Sequence, residues 1–377
     1  MYKPSHPIGI RHSTLTHYIG HRGFSLIELM VGVLIGMIGI VVIFQMLDVS
    51  EKRKRTTGAG ADAQISGTMA LYSLERDLRQ AGFGFGMAAS STYGNLLGCS
   101  VSIYDGNAPA RSFNQTLSPV AITDGNNGAP DTLTVWWGNP ARQPAVTAFS
   151  SSSDTSKLTG SRAGIDMGEL LIAASGSNCH LLEVTSNLNP DGSTVNHESG
   201  ASYTDVGGAA RTARFNKPGG WGMSFSQGYL FNLGLSPQIT QWQINNAQIT
   251  KTDLLRNGSA ANVADSIIDL QAQYGLDSDG DGVISDSEWT ATTPSTPSNW
   301  NRLRAVRVAV LARSKSYEKD FTASNPTWGN GTTFVMTNLD GSASANVPTD
   351  SSLDWRKYRY RVYESIVPFR NVLWGMQ

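Results

Sequence analysis

Residues Arg22–Leu47 read RGFSLIELMVGVLIGMIGIVVIFQML, and from Phe24 to Leu47 the only ionisable residue is Glu28. As a helix rising about 1.5 Å per residue this run is roughly 36 Å long, enough to cross a hydrocarbon core of about 30 Å with some tilt. Before it, Met1–Arg22 carries Lys3, Arg11, Arg22 and the histidines His6, His12, His17 and His21, with no acidic residue. A secretory signal would put its small-residue cleavage site after an apolar core of about 7–15 residues. Here the apolar run is longer and the small residue, Gly23, precedes it. Cleavage at Gly23 would leave the helix on the mature chain.

A basic leader, Gly23, Phe24, an acid at Glu28 and an unbroken apolar helix together resemble a type IV prepilin, with GFSLIELMVG as the matching motif. The resemblance implies that residues 1–23 are a leader removed by a prepilin peptidase and that Phe24 is then N-methylated. It also implies that 24–47 spans the inner membrane once, with the head in the periplasm until the subunit enters a pilus at the cell surface. For Glu28 it implies a partner, the amine of Phe24 on an adjacent subunit.

Glu28 has a physical argument of its own. A carboxylate within a membrane helix costs about 2.5–3.5 kcal/mol at the helix centre and less near an end, so it is usually kept for a partner. Glu28, Gly32 and Gly36 recur every four residues and share a face, and Gly32 and Gly36 form a small-xxx-small pair that permits close helix approach. The plain alternative is that these glycines are merely tolerated by lipid. Just beyond the span, Glu51, Lys52, Arg53, Lys54 and Arg55 are as positive as the leader, so charge alone leaves the orientation ambiguous. The cleavage motif decides it. The basic run suits anionic headgroups or acidic neighbours, and equally a solvated helix turn.

With 377 residues the chain has room for a large core beyond the anchor. Charged residues are only 16% of the chain, which suits an exported, loop-rich domain. The net charge of -1 gives no basic field, so nucleic acid is not a favoured partner. Cys99 and Cys179 lie too far apart for a CxxC motif. In a periplasmic head they could be bonded; two unrelated buried thiols is the other reading.

The stretch Thr56–Gly67 holds three glycines, each costing a helix about 1 kcal/mol relative to alanine, so a continuous helix is expected to be weakest there. Beyond it, Thr68–Ala81 places Leu71, Leu74 and Leu78 on one face and stops at Gly82 or Gly84. The segments LERDLRQAGF and RVYESIVPFRN resemble PilW-type minor pilins. The expected fold is α+β and pilin-like: a long helix over 24–82, then an antiparallel β-rich head over 83–377.

Residues 87–127 give no clear element. Strands are expected at Asp131–Gly138, Glu169–Ala174, Leu181–Thr185, Tyr229–Asn232, Thr240–Ile244, Asn301–Ser314 and Trp355–Val367, with a polar loop at Thr147–Thr159. Ile267–Tyr274 reads as strand or helix. In the last strand Tyr358, Tyr360 and Val362 would face one side and Lys357, Arg359 and Arg361 the other, an arginine stripe that suits an acidic partner or plain solvent. The nine tryptophans show no cluster and read as core or interface residues.

Asp277–Glu288 reads DSDGDGVISDSE. Carboxylates at the first, third and fifth positions (Asp277, Asp279, Asp281), Gly282 at the sixth, a carbonyl from Val283, Ser285 through water and Glu288 at the twelfth reproduce the EF-hand calcium loop. Ile284 would anchor it to the core, and Asp286 is a spectator. With no second loop to pair with, the expectation is one structural calcium site between strands; a solvated acidic turn is the alternative. There is no nucleophile–base constellation and no phosphate loop, so no enzymatic role is expected. The resemblance implies a minor pilin that primes pilus assembly at or near the tip, among other minor pilins and the major pilin, in a fimbrium that serves twitching motility. The alternatives are a type II secretion pseudopilin and a tip adhesin or DNA-binding module.

Overall fold

The computed structural model describes residues 23–142, 146–153, 155–160, 164–186, 193–222, 225–329, 331–342 and 351–375. The leader expected at 1–22 lies outside these. Contacts divide the chain between Arg55 and Thr56, and each part is taken by itself. One helix, Leu26–Gln80, crosses the division.

In the first part Ser25 starts the helix: its Oγ accepts the Glu28 N–H at 3.2 Å and its carbonyl accepts the Leu29 N–H. The apolar side chains from Leu26 to Val49 are exposed, on a helix long and apolar enough to cross a membrane.

The weakening expected at Thr56–Gly67 does not break the helix. Gly58 and Gly60 lie on open surface, whereas a side chain at Gly67 would run into the Tyr363 ring. From Ala63 onward a stripe of Ala70, Leu74 and Leu78 is buried, and a packed segment propagates helix through neighbours that would not hold it alone. Asp77, on the buried side, accepts hydrogen bonds from Trp242 Nε1 (3.1 Å) and Lys251 Nζ (2.6 Å). At the helix C-terminus Gly82 has φ +80°, and the Asn371 side-chain amide donates to the carbonyls of Gln80 (3.2 Å) and Ala81 (3.1 Å). These are carbonyls that a helix end otherwise leaves unsatisfied.

The head is built on three main sheets among the described residues. The largest runs in the order Arg111–Thr116, Ser100–Asp105, Asn178–Glu183, Leu170–Ser175, Gly228–Gly234, Thr147–Ser152, Ser156–Thr159 and Thr194–Asn196. The second runs Ala261–Asp265, Gln248–Asp253, Gln238–Asn245, Thr132–Trp137 and Val120–Thr123. The third runs Trp289–Thr290, Ile267–Leu276, Leu303–Arg313 and Tyr360–Pro368. Pairing is antiparallel except where Ser100–Ser102 runs parallel to Asn178–His180. Beside that pair Cys99 and Cys179 form a disulfide with Cα atoms 6.3 Å apart.

Two strands are buried on both faces. Leu170, Ile172 and Ala174 join the helix stripe in the main core, while Leu171 and Ala173 pack with Phe149, Leu182 and Phe225 behind the sheet. Likewise Val306, Val308 and Val310 face the main core, and Ala309 and Leu311 pack on Trp328 and Phe334. Such strands read as continuous apolar runs. Ile267–Leu276 resolves as strand. Trp136, Trp242, Trp300, Trp328 and Trp355 are buried, whereas Trp374 is exposed.

Two expectations are corrected. Thr147–Thr159 is a hairpin rather than a loop, because Ser153 Oγ accepts the Thr155 and Ser156 N–H groups (3.2 and 3.0 Å) and turns the chain. The last strand starts at Tyr360 and ends at Pro368, because the Asp354 side chain accepts the Arg356 N–H and caps a short helical turn over Trp355–Lys357. The stretch without assignment, 87–127, supplies the strands Ser100–Asp105, Arg111–Thr116 and Val120–Thr123.

Asp131 stitches the second sheet to the third, its two carboxylate oxygens accepting the N–H groups of Gly125 (2.9 Å) and Ala272 (2.7 Å). Burial, opposed by those donors, raises its pKa from 3.8 to about 7, and burial raises that of Asp269 to about 6. A folded pKa above the unfolded one means stability that is full below the unfolded value and lost as pH rises through the folded one. With the calcium level fixed, denaturant midpoints are expected to fall from pH 4 to pH 7, and Asp131→Asn to flatten that slope; an unchanged slope in the variant would contradict the assignment.

Candidate functional site

At the start of the helix, Gly23 and Phe24 lie outside regular structure and are exposed, Phe24 at 82%. Glu28 is exposed too, and a Cβ added at Gly32 or Gly36 would meet nothing within 4 Å. The residues expected to serve processing and assembly are therefore all exposed on the first part of the chain. Sequence reasoning missed Ser25, although Ser25-x-x-Glu28 has the spacing of a helix-capping box. Ser25 sets where the helix begins and so fixes Glu28 in its first turn.

The acidic loop leaves the strand Ile267–Leu276 and returns through Trp289–Thr290, which pairs with Tyr274 and Gly275 of that same strand. It is a strand-to-strand insertion and has no flanking helix pair. A side chain at Gly275 would meet Trp289 at 3.0 Å and Ile284 at 3.3 Å, so both residues seat on that glycine. Gly280 and Gly282 have φ of +81° and +83°, the left-handed conformation that the tight loop demands.

Ligand oxygens of Asp277, Asp279 and Asp281 lie within 4.8 Å of one another. Oxygens bound to calcium at about 2.3–2.6 Å can be at most about twice that apart, so the three fit one cation. Asp277 is buried; it accepts the Gly280 N–H (2.8 Å) and Arg304 Nε (3.2 Å). Glu288 is occupied differently: its oxygens accept the N–H groups of Ser278 (2.6 Å) and Ser285 (2.9 Å) and the Ser285 hydroxyl (3.0 Å). Donation from the Ser285 backbone, then from Ser278, holds the Glu288 pKa below its ordinary value. Ser285 and Glu288 thus close the loop on themselves, and Val283 donates its N–H to Asp281 (2.7 Å). The donor set suits a hard cation. Missed in the sequence were Arg304 and Arg307, the latter lying 4.8 Å from the Trp289 ring and 5.4 Å from the Trp328 ring.

The basic stripe is largely engaged. Arg359 forms a two-point ion pair with Glu318 (2.7 and 2.9 Å), and Lys357 Nζ donates to the carbonyls of Lys319 (2.9 Å) and Phe321 (3.1 Å). Arg361 is exposed.

An apolar N-terminal helix whose second half packs into a β-rich head is the architecture of a pilin. Residues 20–44 match the family model described as the prokaryotic N-terminal methylation motif, and residues 239–371 match Type IV Pilus-assembly protein W. Together these matches support a type IV pilin of the PilW family, related to pilus assembly and anchored by its N-terminal helix. They point to a structural protein that interacts with other pilus components. Comparison with curated proteins and with solved structures gives no match.

Proposed function

We propose that this chain is a minor pilin that helps prime type IV pilus assembly at or near the tip, beside other minor pilins and below them the major pilin. The observation that carries the reading is the presence on one chain of the methylation motif and the PilW region, 20–44 and 239–371. A prepilin peptidase would cut after Gly23 and free the Phe24 amine. The inner-membrane helix would then dock through Glu28, with Gly32 and Gly36 admitting a neighbouring helix closely. The head would stand in the periplasm and then on the cell surface, its acidic loop held by calcium through Asp277, Asp279 and Asp281.

In cells, Glu28→Ala is expected to reduce incorporation into sheared pili at least tenfold while leaving the membrane pool of the protein unchanged. Incorporation at the wild-type level would contradict the docking role. Loss of surface piliation and twitching on deletion, with protein secretion intact, supports the pilus reading over a secretion pseudopilus. The pairing of Arg359 with Glu318 weighs against a phosphate-binding stripe and so against a DNA-binding tip module.

A further inference from the structure

Beyond Leu47 the N-terminal helix passes from apolar to charged: Asp48, Glu51, Lys52, Arg53 and Lys54 follow within about two turns. These charges are sorted by side. At about 100° per residue, Met46, Val49 and Arg53 lie within about 40° of Val42, whereas Asp48 and Glu51 lie about 120° and 180° away from it. Lys52 is on the side of Asp48 and pairs with it at 2.8 Å. Arg53 and Lys54 are exposed, and neither forms an ion pair among the described residues.

Val42, Gln45, Met46, Val49, Ser50 and Arg53 line one shallow groove along the helix, with no acidic residue in its described lining. Its apolar floor, Val42, Met46 and Val49, is exposed. Arg53 stands roughly one turn past Val49, about 6 Å along the axis, and the headgroup layer on each side of a bilayer is about 5–7 Å thick. With Val49 at the edge of the hydrocarbon, the Arg53 guanidinium is level with lipid phosphates and its stem can lie along the groove. A guanidinium holds a phosphate through two parallel N–H donors. An acidic protein neighbour would call for charge alone. An apolar groove that runs into a cation calls for an amphiphile with an acyl chain and an acidic head.

We propose that this face is a binding site for an anionic glycerophospholipid of the phosphatidylglycerol class. An acyl chain lies along Val42, Met46 and Val49, Arg53 holds the phosphate, and Lys54 adds a second positive charge in the same headgroup layer. The bound lipid fixes the depth of the helix at its charged end. The site needs only the membrane anchoring of the helix; it does not depend on the pilus reading or on which side of the membrane the head lies.

Native mass spectrometry tests it on the full chain, released from detergent micelles that hold equal amounts of phosphatidylglycerol and phosphatidylcholine. The wild-type chain is expected to retain phosphatidylglycerol in preference. Arg53→Gln is expected to weaken phosphatidylglycerol binding about fivefold, the effect of one charge at an anionic surface, and Arg53→Lys to weaken it less. Glycerol phosphate, which has the head and no chain, is expected not to compete at the concentration of the lipid. The cations of residues 1–22 attract anionic lipid as well, so the readout is the change each variant makes. Arg53 is exposed, so neither variant removes a packed side chain. Equal retention of the two lipids by the wild-type chain, phosphatidylglycerol binding unchanged in Arg53→Gln, or its displacement by glycerol phosphate would overturn the proposal.

Discussion

Replacing Cys99 and Cys179 together by alanine is expected to cost the head roughly 4 kcal/mol of stability, from the chain entropy released when a closed loop of this length is opened. The two residues are 80 apart in sequence, so the bridge closes a long loop. Cys99 directly precedes, and Cys179 lies within, the parallel pairing of Ser100–Ser102 with Asn178–His180, which joins the two strands at that edge to the rest of the largest sheet. The loss should therefore be felt locally before it is global. Denaturant unfolding of the variant in detergent should show the lowered stability, and hydrogen exchange should quicken first at 100–116. A difference below about 1 kcal/mol, under the usual range for native bridges, would mean that the sheet edge holds without it.

The second large effect is expected on calcium removal, given the proposed site. With free calcium about a hundredfold above the dissociation constant, a site present only in the folded chain contributes about 2.7 kcal/mol. EGTA is accordingly expected to lower the melting temperature of the calcium-loaded protein by several degrees, with Asp279→Ala removing most of the difference. Asp279 suits this test because it is exposed, whereas Asp277 also holds Arg304 (3.2 Å) and would confound it. Trp289 follows the loop directly and lies over the Arg307 guanidinium, so its fluorescence should change on metal binding. Identical melting with and without EGTA, together with no heat on calcium titration, would sink the calcium assignment.

What could be read from the residues alone was what is local. The helix was legible because its signals, an apolar run and then a stripe through Leu74 and Leu78, repeat within a few turns. The acidic loop was legible because its spacing is fixed within twelve positions. Strands buried on both faces, such as Leu303–Arg313, stood out as apolar runs. By contrast Arg111–Thr116 is half exposed, with the burial pattern of an edge strand, and nothing in its composition separates it from a loop. The hairpin at Thr147–Thr159 was hidden because its strands are serine-rich and its turn is made by the Ser153 hydroxyl. Arg304 and Arg307 were out of reach because their partners lie on other segments of the chain.

The amide of Asn371 that closes the helix end comes 291 residues after Gln80, and the ring that fills the space at Gly67 belongs to Tyr363. Under the proposed export of the head, the anchor would enter the bilayer first, while Leu74 and Leu78 would wait, uncovered, for the last strands to cross. A nascent chain in that interval would present a greasy helix with no lid. Whatever kept it from sticking to its neighbours would have to act for as long as translocation lasted.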